Sequence, residues 1–321
     1  MQEYSVALCT YNGSRYVEEQ LSSIIKQSVK PSQIIISDDG SKDNTLEIVE
    51  EVLSGSGINY SVLVNNGMHG VTGNFQNAIS HCDAPIIFTS DQDDAWNPDK
   101  AKRMLEVFEN KPDALLVFSD GELVDSDMNL LNCSVWRAAG LTQTKLEEYD
   151  WFHFLLKNNL ITGAAMAFRR SLFTQINVIP KDWLHDGWLG WCAVANNGLF
   201  PCNHKLFYYR QHGGNVVGMS PSYSILFHMK KYIRNFKIIK ENRRIRYSRY
   251  KSLVDLMGDK FSESQLGEIN QCVQFWKKQT ELSNYGVFKR LSIITSQYFH
   301  GFYHKYYNGT VGYIRDFIIE L

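Results

Sequence analysis

The chain lacks the marks of several familiar protein classes. Its six cysteines, Cys9, Cys82, Cys133, Cys192, Cys202 and Cys272, form no C-x-x-C pair. Their spacing suits neither a zinc knuckle nor a disulfide scaffold, so buried free thiols are expected. No run of 18 apolar residues occurs, so no membrane-crossing helix is expected. The opening Met1-Gln2-Glu3-Tyr4 lacks a basic stretch followed by an apolar one, so no signal peptide is expected. There is no G-x-x-x-x-G-K-[ST] loop, and the turn after Cys9 has no G-x-G-x-x-G. Two common nucleotide-binding folds are thereby unsupported. No complete G-x-S-x-G appears either, which leaves a serine hydrolase without support.

What is present is a chain of 321 residues, 44% hydrophobic, long enough for one large domain with an extension or for two domains. The net charge of -1 conceals an asymmetry. Residues 1–219 carry 16 Lys/Arg against 26 Asp/Glu, and residues 220–321 carry 17 against 8. The first part holds acidic groups able to bind a metal. The second is a basic appendage, enriched between residues 225 and 251, which suggests an anionic surface as partner.

The first 120 residues alternate strand and helix signals. Short apolar runs at residues 4–9, 33–37, 60–64, 85–90 and 115–119 read as strands, and unbroken runs such as Ile34-Ile35-Ile36 suit strands buried on both faces. Helical patterns separate them, and Pro98 is placed to open the helix after the fourth strand. This order predicts an α/β fold with an open, mostly parallel, doubly wound sheet. Such sheets bind ligands at the carboxyl ends of their strands. Each early strand here ends in a polar cluster: Thr10-Tyr11-Asn12, Asp38-Asp39, Asn65-Asn66, then Asp91-Gln92-Asp93-Asp94. The clusters are expected to meet in one crevice. Strands are also expected at residues 162–168 and 205–209, with helices after Gly218.

Asp91-Gln92-Asp93 offers two carboxylates spaced by one residue after a buried strand. Hard cations such as Mg²⁺ or Mn²⁺ take oxygen ligands of this kind and share them with substrate phosphates. The bland alternative is a solvated loop that caps the next helix. Asp38-Asp39-Gly40-Ser41 can accept bonds from a nucleotide's base or ribose, or close an Asx-type turn. Asp186, flanked by Trp183, Trp188 and Trp191, is a candidate general base or a helix cap. His185 reads as a packing residue. His212 is a candidate nitrogen ligand to the metal, and Arg210 a partner for a leaving diphosphate. Thr162 and Gly163 either line the acceptor side or pack a strand closely.

Taken together, these motifs resemble glycosyltransferase family 2, with its GT-A fold, over about residues 3–218. Cys9-Thr10-Tyr11-Asn12-Gly13 resembles the family's first nucleotide-binding loop. Asp38-Asp39-Gly40-Ser41 resembles the second, and Asn74 joins the nucleotide-binding set with Asp91. Ser90-Asp91-Gln92-Asp93-Asp94-Ala95-Trp96 matches the metal-binding D-x-D and its flank. His185-Asp186-Gly187-Trp188 matches the motif of the catalytic base, and Arg210-Gln211-His212 with Asn215 matches a late segment whose histidine completes the metal site in some members. The wording is similar to a bacterial subgroup often labelled rhamnosyltransferases, which build cell-surface polysaccharide.

The resemblance implies an inverting, metal-dependent transfer from a dTDP- or UDP-linked sugar to a saccharide acceptor, lipid-linked, at the cytoplasmic face of the membrane. Asp186 is then the base and Mn²⁺ or Mg²⁺ sits on Asp93, Asp91 and His212. Asp94, Trp96, Thr162, Gly163, His185 and Trp188 face the sugars. No nucleic acid is involved. Residues 1–218 are expected to form the catalytic domain and 219–321 a helical extension. In the extension, Lys230, Lys231, Arg234, Lys237, Arg243, Arg244 and Arg246, interleaved with Tyr232, Phe236 and Ile238, make either a peripheral membrane contact or a solvated or oligomer face. Two other classes stay open: a nucleotidyltransferase and a non-catalytic sugar-binding scaffold.

Overall fold

A computed structural model of the chain describes residues 2–141, 146, 149–176, 178–212 and 236–321, with Phe236 and Lys237 described by backbone alone. These residues form two compact units. One holds the described residues up to 149 together with 160–212, and the other holds 150–159 and 236–321.

The first unit opens with β1 (Tyr4–Thr10), α1 (Val17–Ile25), β2 (Gln33–Asp38), α2 (Thr45–Ser54), β3 (Asn59–Val64), α3 (Val71–Ser80) and β4 (Ile86–Ser90). Every residue of β1, β2 and β4 is buried. That explains their unbroken apolar runs: both faces of each strand are covered, and alternation would place polar groups in the core. The helices contribute single stripes, such as Val17, Leu21 and Ile24 from α1 and Phe75, Ala78 and Ile79 from α3. β1 pairs in parallel with β2 and β4, and β2 with β3, giving the spatial order β3-β2-β1-β4. The chain therefore steps outward from β1 to β3 and returns on the far side of β1. The reversal leaves a crevice at the carboxyl ends of β1 and β4.

The chain continues through β5 (Ala95–Trp96), α4 (Lys100–Asn110), β6 (Leu116–Val124), β7 (Leu130–Ser134) and α5 (Val135–Ala138). Helix α6 (Trp151–Lys157) belongs to the second unit, so the second unit takes a segment well before residue 218. The first unit resumes with a 3-10 turn at Gly163–Ala165, β8 (Met166–Arg169), α7 (Arg170–Ile176), α8 (His185–Ala195) and β9 (Leu199–Arg210). β8 runs antiparallel to both β4 and β6, and β9 lies parallel to β6 and antiparallel to β5. The fold is the expected α/β, GT-A type. Its wholly parallel half ends at β4, where the strand–helix alternation also ends, and the sheet beyond it is mixed, with β6 and β9 parallel and the other pairings antiparallel. All six cysteines are buried free thiols.

The second unit continues with α9 (Phe236–Met257), α10 (Glu263–Glu281), α11 (Val287–Phe299), α12 (Phe302–Tyr306) and α13 (Gly309–Glu320). Ser262 and Gln265 form a reciprocal capping box that starts α10. Tyr250, Leu253, Phe275, Trp276, Tyr303 and Tyr306 are buried within this unit. Among its described residues, no helix is long and apolar enough to cross a membrane.

One expected surface cation is not on the surface. Arg243 is buried and reaches Glu320 at 2.6 Å and Asp316 at 3.4 Å, while Arg290 reaches Glu320 at 3.0 Å. Two buried carboxylates require buried counter-charges, and that demand pulls Arg243 inward. Arg246 lies 5.0 Å from the Trp276 ring centroid. Arg244 and Ile238 are exposed. Lys230, Lys231, Tyr232 and Arg234, and the side chains of Phe236 and Lys237, lie outside the described residues, as does Asn215.

Candidate active site

The polar clusters at the ends of β1, β2 and β4 do meet. Thr10 is in register with Asp38 across β1 and β2, and its hydroxyl donates to Asp38 Oδ1 at 2.7 Å. Asp38 Oδ2 accepts the backbone N–H groups of Gly40 at 3.0 Å and Ser41 at 2.8 Å. Asp38 is buried and closes the turn after β2, so its oxygens face protein donors rather than a ligand. Asn74 is also buried and ties Ser37 Oγ at 2.6 Å to the Thr10 carbonyl at 3.2 Å. Thr10, Asp38 and Asn74 thus build the crevice wall. The groups left at its mouth are Tyr11, Asn12 and Asp39. Asp39 Oδ1 accepts from Asn65 at 2.9 Å and contacts His69 Nδ1 at 2.8 Å, while Oδ2 accepts the Gly70 N–H at 2.8 Å. Burial opposes ionisation of Asp39, but these donors outweigh it and hold its carboxyl below the usual range.

The acidic loop follows β4. Gln92, which carries no role in the sequence reading, pins it to the first loop: its Oε1 accepts the Tyr11 N–H at 2.9 Å and its Nε2 donates to the Tyr11 carbonyl at 3.0 Å. A Cβ on residue 13 would stand 2.0 Å from Gln92 Oε1, so Gly13 makes room for this staple. Asp93 Oδ2 lies 2.9 Å from His212 Nε2, and the His212 ring packs 5.0 Å from that of Tyr16. Residues 93 and 212, far apart in sequence, come together.

Asp91 keeps partial access to solvent. Burial, then the charges of Asp93 and Asp186, push its carboxyl up to about 7, with Lys100 opposing. The negative charges of the loop and of Asp186 are therefore gathered in one region. Asp94 is buried, and burial followed by Asp93 and Asp91 raises its carboxyl well above the usual range. Its Oδ1 accepts the Arg210 N–H at 3.0 Å, and Oδ2 has no hydrogen-bond partner among the described residues.

Arg210 was expected at a leaving diphosphate, but it is buried beneath the loop. Its Nε donates to the Asp93 carbonyl at 2.7 Å, Nη1 to the Ser126 carbonyl at 2.8 Å, and Nη2 to Glu19. The guanidinium's fixed fork is occupied in shaping the acidic loop. Trp96 and Trp188 are likewise placed apart from a sugar-facing surface. Trp96 is buried in the main core, 5.7 Å from the Phe88 ring, and Trp188 is buried 5.7 Å from Trp183. Large aromatic area leaves water wherever the core offers it a place, which here outcompetes the crevice.

Asp186 sits in the first turn of α8, nearly buried, where the helix N-terminus favours a negative charge. Its Oδ2 accepts the Gly163 N–H at 3.2 Å. His185 stacks on Phe75 with centroids 3.7 Å apart. Neither of its ring nitrogens has a hydrogen-bond partner among the described residues, and burial lowers its pKa to about 3, leaving a neutral ring. The Thr162 hydroxyl is also buried and without such a partner. Thr162, Gly163, His185 and Asp186 thus form one cluster.

Lys100, to which no motif draws attention, is completely buried at the start of α4. The signal was available: Lys100 falls one turn before Met104 on the apolar stripe of Met104, Leu105 and Phe108. Glu19, Ser126 and Tyr16 carry no comparable signal, because their roles arise from contacts distant in sequence.

The α/β sheet carries paired carboxylates at the end of β4 and a distant aspartate in the first turn of α8, which is the arrangement expected of a GT-A type glycosyltransferase. The family model described as glycosyl transferase family 2 matches residues 5–176, and the chain belongs to that family. It is 29% identical over 293 residues to a dTDP-rhamnosyl transferase, RfbG, of Shigella flexneri, covering 84% of this chain and 93% of that protein. It is 25% identical to an uncharacterized glycosyltransferase of a Nostoc strain, over 66% of this chain and 65% of that one. A crystal structure of residues 1–349 of S. aureus TarS shares the fold, with a TM-score of 0.61 and 14% identity over 99% of this chain and 90% of that one.

Proposed function

We propose that this glycosyltransferase moves a sugar, rhamnose first and a hexose second, from a dTDP- or UDP-linked donor to a saccharide hydroxyl, with inversion at the anomeric carbon. The observation that carries this reading is the meeting of Asp93 and His212 at 2.9 Å where the acidic loop leaves the carboxyl end of β4, with Asp186 near enough to act on the Asp91 carboxyl. The RfbG likeness favours a dTDP-linked donor. Residues 1–218 carry the catalysis. The lipid-linked acceptor, the role of 219–321 as an accessory extension and a place at the cytoplasmic face of a membrane belong to the same proposal.

Asp186 is the base. Its carboxylate is aimed by the Gly163 N–H and receives the acceptor proton as the hydroxyl oxygen attacks. Tyr11, Asn12 and Asp39 receive the nucleotide at the crevice mouth, above the wall of Thr10, Asp38 and Asn74. Thr162, Gly163 and His185 border the acceptor side. Arg210, held by Asp93, Ser126 and Glu19, keeps the acidic loop in shape.

Among the described residues no three of His, Cys, Asp or Glu stand together as a ready metal site, and Asp93 with His212 is the pair from which a divalent cation would be held. Asp93 and Asp91 offer carboxylate oxygens, His212 an imidazole nitrogen already beside Asp93, and the crowding that raises Asp91 marks a place where positive charge is favoured. Mn²⁺ or Mg²⁺ bound there would offset the negative charge on the departing diphosphate.

The test is Asp186→Asn. Nucleotide binding should persist while transfer falls by about 10²–10⁴-fold, the usual contribution of a placed base. Normal turnover by this variant, across a screen of dTDP- and UDP-sugars that the parent accepts, would end the assignment.

A further inference from the structure

Lys100 holds a position that the transferase reading leaves unused. Its side chain is completely buried. Its ammonium donates to the Ala164 carbonyl at 2.5 Å and stands 3.9 Å from the Trp96 ring centroid and 5.4 Å from that of Phe207. A buried ammonium is costly unless it is paired or hydrogen-bonded, so this position is maintained against a desolvation penalty. The two aromatic faces offset part of that penalty.

The Ala164 carbonyl belongs to the Gly163–Ala165 turn. In the same turn, the Gly163 N–H donates to Asp186 Oδ2 at 3.2 Å, and the Gly163 carbonyl accepts the Thr89 hydroxyl at 2.5 Å. Thr89 is one residue from the end of β4, from which the acidic loop departs. Trp96, the floor beneath the ammonium, lies just beyond the far end of that loop. The lysine thus stands between the segment that carries Asp91–Asp94 and the turn that orients Asp186, and it touches the second directly.

We propose that Lys100 is a positioning residue that fixes the Gly163–Ala165 turn, and through it the Asp186 carboxylate, relative to the acidic loop. The proposal rests on Asp186 acting as the base. Removing the ammonium frees the Ala164 carbonyl, loosens the turn and lets the carboxylate drift. A misplacement of about 1 Å in such a site costs roughly 100-fold in rate.

The experiment uses Lys100→Met, which keeps the length and apolar bulk, and Lys100→Arg, which keeps a cationic donor. Hydrogen exchange on the intact protein should show faster exchange across residues 160–168 in Lys100→Met, with β1 and β2 unchanged, and Lys100→Arg should recover part of the protection. Unchanged exchange in this segment, or equal loss in both variants, overturns the proposal. This arm needs no donor sugar, so its outcome is separate from the fate of the transferase reading. The kinetic arm asks for a fall in kcat of about 10–100-fold with the nucleotide Kd held within about 3-fold. In an Asp186→Asn background the same substitution should cost less than about 3-fold, because the group it positions is already disabled. An equal cost in both backgrounds, or a loss confined to nucleotide affinity, overturns it. If Lys100→Met fails to fold, Lys100→Gln, which also removes the charge, takes its place in both arms under the same criteria, with Lys100→Arg still the recovery variant.

Discussion

Replacing Gly163 by alanine probes the tightest point of the acceptor side. A Cβ at this position would lie 2.5 Å from His185 Nε2 and 2.8 Å from His185 Cε1. The imidazole cannot swing aside freely, because it is buried and stacked on Phe75 at 3.7 Å. Either the ring leaves its stack or the turn backs away. Overpacking of this kind costs about 1–3 kcal/mol. For a unit of this size that corresponds to a fall in Tm of about 2–12 °C. If the turn moves, the Gly163 N–H leaves Asp186 Oδ2, and transfer should drop by roughly 10–100-fold. Nucleotide binding should hardly change, since the Thr10, Asp38 and Asn74 network is untouched. Differential scanning fluorimetry and a transfer assay measure the two effects. Adding His185→Ala supplies the control: the double variant should melt close to His185→Ala alone, because the clash has been removed. A Gly163→Ala protein with the parent's Tm and turnover would refute the reasoning, as would a double variant showing the full sum of two independent losses.

Three further outcomes follow from other contacts. His212→Ala should weaken Mn²⁺-dependent nucleotide binding by about 10-fold or more, measured by calorimetry with and without metal; metal dependence equal to the parent's would remove His212 from the ligand set. Arg243→Met should destabilise the second unit by about 3–5 kcal/mol, because Asp316 and Glu320 stay buried after losing a counter-charge; Trp276 fluorescence in a urea titration reports it, and a cost below about 1 kcal/mol would mean that Arg290 and Arg315 suffice. His153 makes the second unit sensitive to pH. Burial opposes its charged form, but bonds to Asp150 at 2.6 Å and Glu268 at 3.0 Å outweigh that and raise its pKa above 6.5. The stabilisation is therefore full below 6.5 and fades as pH rises through the raised value, while Lys305 at 2.8 Å keeps Glu268 paired throughout. The gap in urea midpoint between the parent and His153→Gln should be larger at pH 6 than at pH 8.5. A gap independent of pH contradicts the charge argument.

The places where the sequence was legible share one physical cause. Asp91–Asp94 could be located because the apolar run before it, residues 86–90, can only be a strand buried on both faces, and the carboxyl end of such a strand in a doubly wound sheet is a crevice. Periodicity also located the early helices, since each buries one stripe. What stayed illegible is which polar groups face the crevice and which build it. Asp38 and Asp39 are neighbours of identical chemistry, yet Asp38 closes its own turn while Asp39 reaches the mouth; strand alternation separates adjacent residues without saying which face is lined by donors. Arg210 and Trp96 carry the side chains that substrate sites use, and both are taken by the interior instead. Their partners are remote: Arg210 meets Glu19 across almost the whole first unit of sequence. A motif of this family therefore specifies the neighbourhood of the reaction more sharply than it specifies contact with substrate. The buried residues of the motif are as necessary as the exposed ones because a loop of four residues carrying three carboxylates repels itself, and groups such as the Arg210 fork and the Gln92 amide hold it in one shape.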